Sequence, residues 1–177
     1  MICTARASQR LPRASRFLAA AIALALFSLF ALGCGSGSDS GNESFGPIPA
    51  GTDPCRSPGY WPRTVASATH PFLVHFRSQH EFETALAIVE YLDAAWELQV
   101  ERLGYTQPPS DDGSCGPDGS FDVFIWRDHR SCFVDVISDE IVTPWGGRAS
   151  FMLLDPWGPY GGPLLEQTVA HEFNHAT

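Results

Sequence analysis

The sequence has 177 residues, with 11 basic side chains, all of them arginine, against 20 acidic ones, a length that suits about one domain once a leader is set aside. All 20 acids lie after Cys34 but only 7 of the arginines do, so that part of the chain carries 13 excess negative charges. Such a surface repels phosphate backbones and anionic headgroups, which argues against nucleic-acid partners and against electrostatic binding to membranes.

Residues 1–34 read as an export signal. Arg6, Arg10, Arg13 and Arg16 form a basic start with no acid, and an apolar run from Phe17 to Leu32, broken only by Ser28, comes next. Export signals carry an apolar stretch of roughly 7–15 residues and spanning helices about 20, so this run sits nearer the first. The end of the run, Ala31-Leu32-Gly33-Cys34, resembles a bacterial lipobox, although Ala31 stands where Leu is usual. The resemblance implies that Cys34 is lipidated and becomes the mature N-terminus. The expected location is then the cell envelope outside the cytoplasm, held through the N-terminal lipid alone, with plain secretion as the alternative. Residues 35–54, rich in Gly, Ser and Pro, read as a flexible tether.

Patterned sequence starts near Pro71. Phe72-Leu73-Val74-His75-Phe76 reads as a buried strand. Ser78 and Glu81 have capping-box spacing, and Phe82, Ala85, Val89, Leu92, Trp96, Val100 and Leu103 recur at helical steps up to a stop at Gly104. Residues 107–120 read as loop. Phe121–Arg127, Cys132–Ile137 and Arg148–Asp155 read as strands. A last helix opens with Pro163 and carries Glu166 in its first turn, where an acid suits the positive helix end. The layout is α+β, a sheet with a long backing helix and a second helix on it.

That second helix holds His171-Glu172-Phe173-Asn174-His175, an H-E-x-x-H pattern. Residues four apart on a helix lie nearly above one another, so His171 and His175 can aim two imidazoles at one Zn2+ ion. Glu172, about 100° further round, stands beside the metal as a candidate general base. Leu165, Val169, Phe173 and Ala176 gather on the opposite face, giving the helix a core side and a cleft side.

VAHEFNHAT resembles the active-site helix of zincin metallopeptidases. With HPFLVHF, ERLGYTQPP, SFDVFIWRD and ASFMLLD in that order, residues 70–177 are similar to secreted, often lipidated metalloproteases known mainly from myxobacteria. The resemblance implies that residues 55–177 are the N-terminal half of a zincin-like domain, its upper subdomain, with the C-terminal subdomain missing. It also implies zinc-dependent hydrolysis of peptide or protein substrates, and an edge strand beside the cleft to which substrate adds as a further strand. By position that strand is Arg148–Asp155. A catalytic zinc takes three protein ligands, and only Ala176 and Thr177 come after His175, so the 177 residues alone are expected to be inactive. The alternative is a non-catalytic binding or structural lipoprotein of the cell surface in which the motif is relict or accidental.

Other residues carry weaker signals. His70, His75 and His80, five apart, suit no single helix or strand face and read as scattered histidines. Asp128, His129 and Ser131 are triad residue types in a loop, without triad geometry. Trp145 and Trp157 read as packing residues more than as substrate platforms. Cys55, Cys115 and Cys132 are odd in number, leaving one thiol free or paired elsewhere, and lack zinc-cluster spacing.

Overall fold

The computed structural model describes residues 46–127, 129, 132–137, 142–144 and 146–177. The expected signal and Cys34 lie outside the described residues, as do Asp128, Ser131 and Trp145. Among the described residues no helix is long and apolar enough to cross a membrane.

The strands are β1 (Arg63–Ala66), β2 (Phe72–Phe76), β3 (Phe121–Ile125), β4 (Phe133–Val136) and β5 (Ser150–Leu154), and the helices α1 (Phe82–Trp96) and α2 (Leu165–Ala176). They form the expected α+β arrangement, one five-stranded sheet in the order β1-β2-β3-β5-β4 with two helices. Pairs β2/β3 and β3/β5 are parallel; β1/β2 and β4/β5 are antiparallel. The three central strands are buried at every position, as parallel strands covered on both faces must be.

Alternation along those strands makes two cores. On one face Phe72, Val74, Val123, Ile125, Met152 and Leu154 pack against the apolar sides of α1 and α2. On the other, Phe124, Trp126, Phe151 and Leu153 gather around Trp61, whose indole Nε1–H donates to the Ile125 carbonyl at 2.8 Å. A disulfide between Cys55 and Cys115 ties two loops over this second core and leaves Cys132 as the free thiol of the three. Residues 46–54, the second half of the expected tether, are part of this layer: Ile48 packs on it, and the Gly46 carbonyl accepts from Arg77 at 2.7 Å.

The start of α1 is held as the spacing predicts, with the Glu81 carboxylate accepting the backbone N–H groups of Ser78 at 3.1 Å and Arg77 at 2.7 Å. Its end differs. Glu97–Arg102 forms a π turn, in which each residue rotates less than the 100° of an α-helix. Gln99 is buried there, Val100 is half-buried, and Leu103, expected on the apolar face, swings out to 58 % exposure. Gly104, at φ +75°, closes the helix through a Tyr105 N–H to Gln99 carbonyl bond of 2.9 Å.

Two expectations about the sheet need correction. β1 was not anticipated: four residues with alternating half-burial beside Pro62 give too short a pattern. Arg148–Asp155 is not the edge strand, because β5 lies between β3 and β4, and the edge is β4. The chain forms β4 before β5 and then inserts β5 inward, an order that apolar patterning does not encode.

Candidate metal centre and cleft

The helix α2 is aimed by the turn before it. Gly161 passes so close to Pro156 that a Cβ would fall 2.0 Å from the Pro156 carbonyl oxygen, and Gly162, at φ +55°, donates its N–H to that same oxygen at 2.8 Å. Only glycine allows both the approach and the left-handed backbone. Thr168 adds a hydroxyl bond to the Tyr160 carbonyl at 2.6 Å. From this start Leu165, Val169 and Phe173 point into the core and Ala176 packs at its margin, as the periodicity predicts. Phe173 is wedged between Phe72 of β2 and Phe121 of β3, with ring centroids at 5.4 and 6.1 Å.

The opposite side carries the motif. His171 and His175 are exposed, and their Nε2 atoms converge to 3.3 Å with the rings at 87°. Two nitrogens bound to one tetrahedral zinc at 2.0–2.1 Å lie about 3.3–3.4 Å apart. The separation of the pair therefore matches that of two imidazole nitrogens sharing one zinc ion. Among the described residues no third carboxylate, thiolate or imidazole stands close enough to complete the set.

Glu172 is half-buried and faces a different way from His171. It lines a cleft of about 830 Å³ together with His175, Cys132, Arg148 and the β4 residues Phe133 and Val134. His171 borders a second groove, shared with His175, Gln99 and Tyr105. His175 thus stands between the two, while Glu172 lines the first.

Several residues around this centre escaped the sequence reading. Gln99, carried inward by the π turn, donates its amide N–H to the Ala170 carbonyl at 2.8 Å and braces α2 one residue before His171. Cys132 lies in the cleft wall; burial pushes its thiol pKa up, a hydrogen bond with the Asp155 backbone works against this, and the charges of Glu172 and Asp155 raise it further. Neither carries a sequence signal beyond residue type.

The other candidates separate. His70 bonds Asp93 at 2.9 Å and lies against Trp96, while His75 bonds Asp122 on the far sheet face, so the three spaced histidines form no ligand set. His129 sits between Trp126 and Phe133. Trp157, expected to pack, is 43 % exposed with the Arg127 guanidinium 4.5 Å over its ring.

The pair His75–Asp122 is the least expected feature. The contact is 2.5 Å, the imidazole stacks on Phe124 at 4.4 Å, and Asp122 is 1 % exposed. Burial pushes the Asp122 pKa up to about 6, against the lowering effect of His75. The signal was a polar residue at one position of an apolar run in each strand, FLVHF and FDVFI. No protein-family model, curated protein or solved structure matches the chain.

Proposed function

We propose that the chain belongs to an exported zinc-dependent peptidase, with His171 and His175 as two zinc ligands and Glu172 as general base. The observation that carries the reading is the 3.3 Å convergence of the two Nε2 atoms on a helix whose next residue, Glu172, faces a cleft. Zinc, when bound, supplies a Lewis acid that polarises a peptide carbonyl and acidifies a water. His171 and His175 would hold the ion. The Glu172 carboxylate takes a proton from the attacking water and returns it to the leaving amine nitrogen. β4, at the end of the sheet and along the cleft, is the strand beside which an extended peptide would add. The disulfide suits an oxidising compartment, in keeping with export and with a lipid on Cys34.

The competing reading, a non-catalytic cell-surface lipoprotein, draws on the lack of a third ligand among the described residues. Metal analysis beside a peptidase assay on the zinc-loaded protein separates the two. Glu172→Gln should keep zinc near wild type while hydrolysis falls by orders of magnitude, and His171→Ala or His175→Ala should lose both. Full activity in Glu172→Gln would end the mechanism. Zinc and activity retained in all three would make the motif a coincidence. With two imidazoles and no third ligand among the described residues, the protein should hold zinc only weakly.

A further inference from the structure

The loop from Ser110 to Ser120 contains three aspartates, and the buried carboxylate of a fourth, Asp122 of β3, meets it. One carboxylate oxygen of Asp111 and one of Asp122 lie within 4.8 Å of each other, and the Cys115 sulfur lies within the same distance of both. That sulfur is bonded to Cys55 and has no thiolate to offer. Asp111 is itself 7 % exposed, and its two oxygens accept the backbone N–H groups of Gly113 at 2.9 Å and Cys115 at 2.5 Å. A carboxylate oxygen with one such bond keeps a second lone pair.

Asp122 is the independent pointer. Its Oδ1 bonds His75, but its Oδ2 is buried with no hydrogen-bond partner among the described residues. Both oxygens press against the loop: a Cβ on Gly116 would fall 2.4 Å from Oδ1 and 2.9 Å from Oδ2, and Gly116 has φ +78°. The missing side chain at Gly116 is therefore what lets the carboxylate enter the loop. A buried carboxylate oxygen without a donor is among the costlier groups a fold can carry. Here the cost is compounded, because the charges of Asp111 and Asp118 also bear on Asp122, and His75 is the basic group that faces it.

We propose that Asp111 and Asp122 hold a calcium-class divalent cation, beside the Cys55–Cys115 disulfide on the sheet face opposite the helices. Calcium accepts carboxylate and carbonyl oxygens at 2.3–2.6 Å in irregular geometry, so two oxygens up to about 4.8 Å apart can share one ion. The remaining positions fall to backbone carbonyls and water, as in loop sites generally. Zinc and copper suit the donor set poorly, since the sulfur is oxidised and the His75 nitrogen is already engaged with Asp122. The ion would fix the loop two residues after Pro109, which lines the cleft.

The test uses the full 177-residue chain with its disulfide formed, stripped with a chelator and titrated with calcium, with magnesium as the contrast. The unfolding midpoint should rise saturably with calcium and much less with magnesium. Terbium should bind the same site and luminesce on tryptophan excitation, because Trp61 shares the buried cluster with Cys115, and calcium should quench that signal by displacement. Asp122→Asn and Asp111→Asn, which keep shape but remove charge, should each lose both responses. If Asp122→Asn does not fold, Asp111→Asn on the loop gives the same reading. Responses that survive in the variants would locate the ion elsewhere and overturn the site. So would a wild-type midpoint indifferent to calcium, since a proton would then be what answers the orphan oxygen. No outcome depends on zinc, so the peptidase reading stands or falls separately.

Discussion

Replacing Phe173 with Ala should lower the unfolding free energy by about 3–5 kcal/mol. The ring is 0 % exposed and contacts Phe72, Phe121 and Trp96, with centroids at 5.4, 6.1 and 6.2 Å. Removing an aromatic side chain of this kind from water is worth about 1.5–3 kcal/mol. The edge-on pairs with Phe72 and Phe121 add about 0.5–1.5 kcal/mol each when geometry is good. A cavity would remain, because two of its walls are β2 and β3 and cannot close in without bending the sheet. A domain stable by about 5–15 kcal/mol could be left barely folded by this change. Phe173→Leu is therefore the working variant, at about 1–2 kcal/mol on the methylene scale. The neighbouring Asn174 is exposed, and Asn174→Ala should stay within about 0.5 kcal/mol. Urea unfolding monitored by circular dichroism gives all three, with the slope checked for constancy. A loss below about 1 kcal/mol for Phe173→Ala would refute the seating of α2. With it would go the claim that packing on one face fixes the two histidines on the other.

Three further outcomes are expected from the same structure. The disulfide joins residues 60 apart, so Cys55→Ser with Cys115→Ser should cost about 4 kcal/mol by loop-closure entropy, measured as a urea midpoint beside the oxidised wild type. Asp122 has its folded pKa raised from 3.8 to about 6, so the folded state binds the proton more tightly. In chelator, stability should be greatest below about pH 4 for this group and fall by on the order of 2–3 kcal/mol as the pH rises through 6; Asp122→Asn should remove that slope, and a slope of opposite sign would contradict the burial argument. Labelled palmitate should enter the wild-type protein but not Cys34→Ala, and equal labelling would dispose of the lipid anchor.

The sequence carried the elements whose hydrophobic period runs long enough to be counted. α1 and α2 were readable from residues such as Leu92 and Val169, and the pairing of His171 with His175 came from helical spacing alone. Long-range relations were not readable. That β5 lies inside β4, that Cys55 meets Cys115, and that His75 meets Asp122 across 47 residues all depend on which strand neighbours which. Local patterning is silent on that. His75 and Asp122 were nevertheless visible as polar interruptions of apolar strands, a conflict between local pattern and environment of the kind that buried sites create. Leu103 shows the converse: its period was regular, and the π turn overrode it.

That turn has a consequence for the dimensions of the cleft. It holds one residue more than an α-helix needs to cover the same rise. Loss of a single residue between Leu98 and Arg102 would let the segment rewind as α-helix over nearly the same rise and the same total rotation, because the wider turn spends one more residue on them. The chain beyond would leave the helix in almost the same direction, and Thr106, Gln107 and Pro109 would keep their wall of the cleft. A deletion within α1 itself, which has no residue to spare, would instead swing everything after it round by about 100°. The wall facing Glu172 is thus buffered against a change of length at one place in the long helix, in a segment that carries none of the three motif residues.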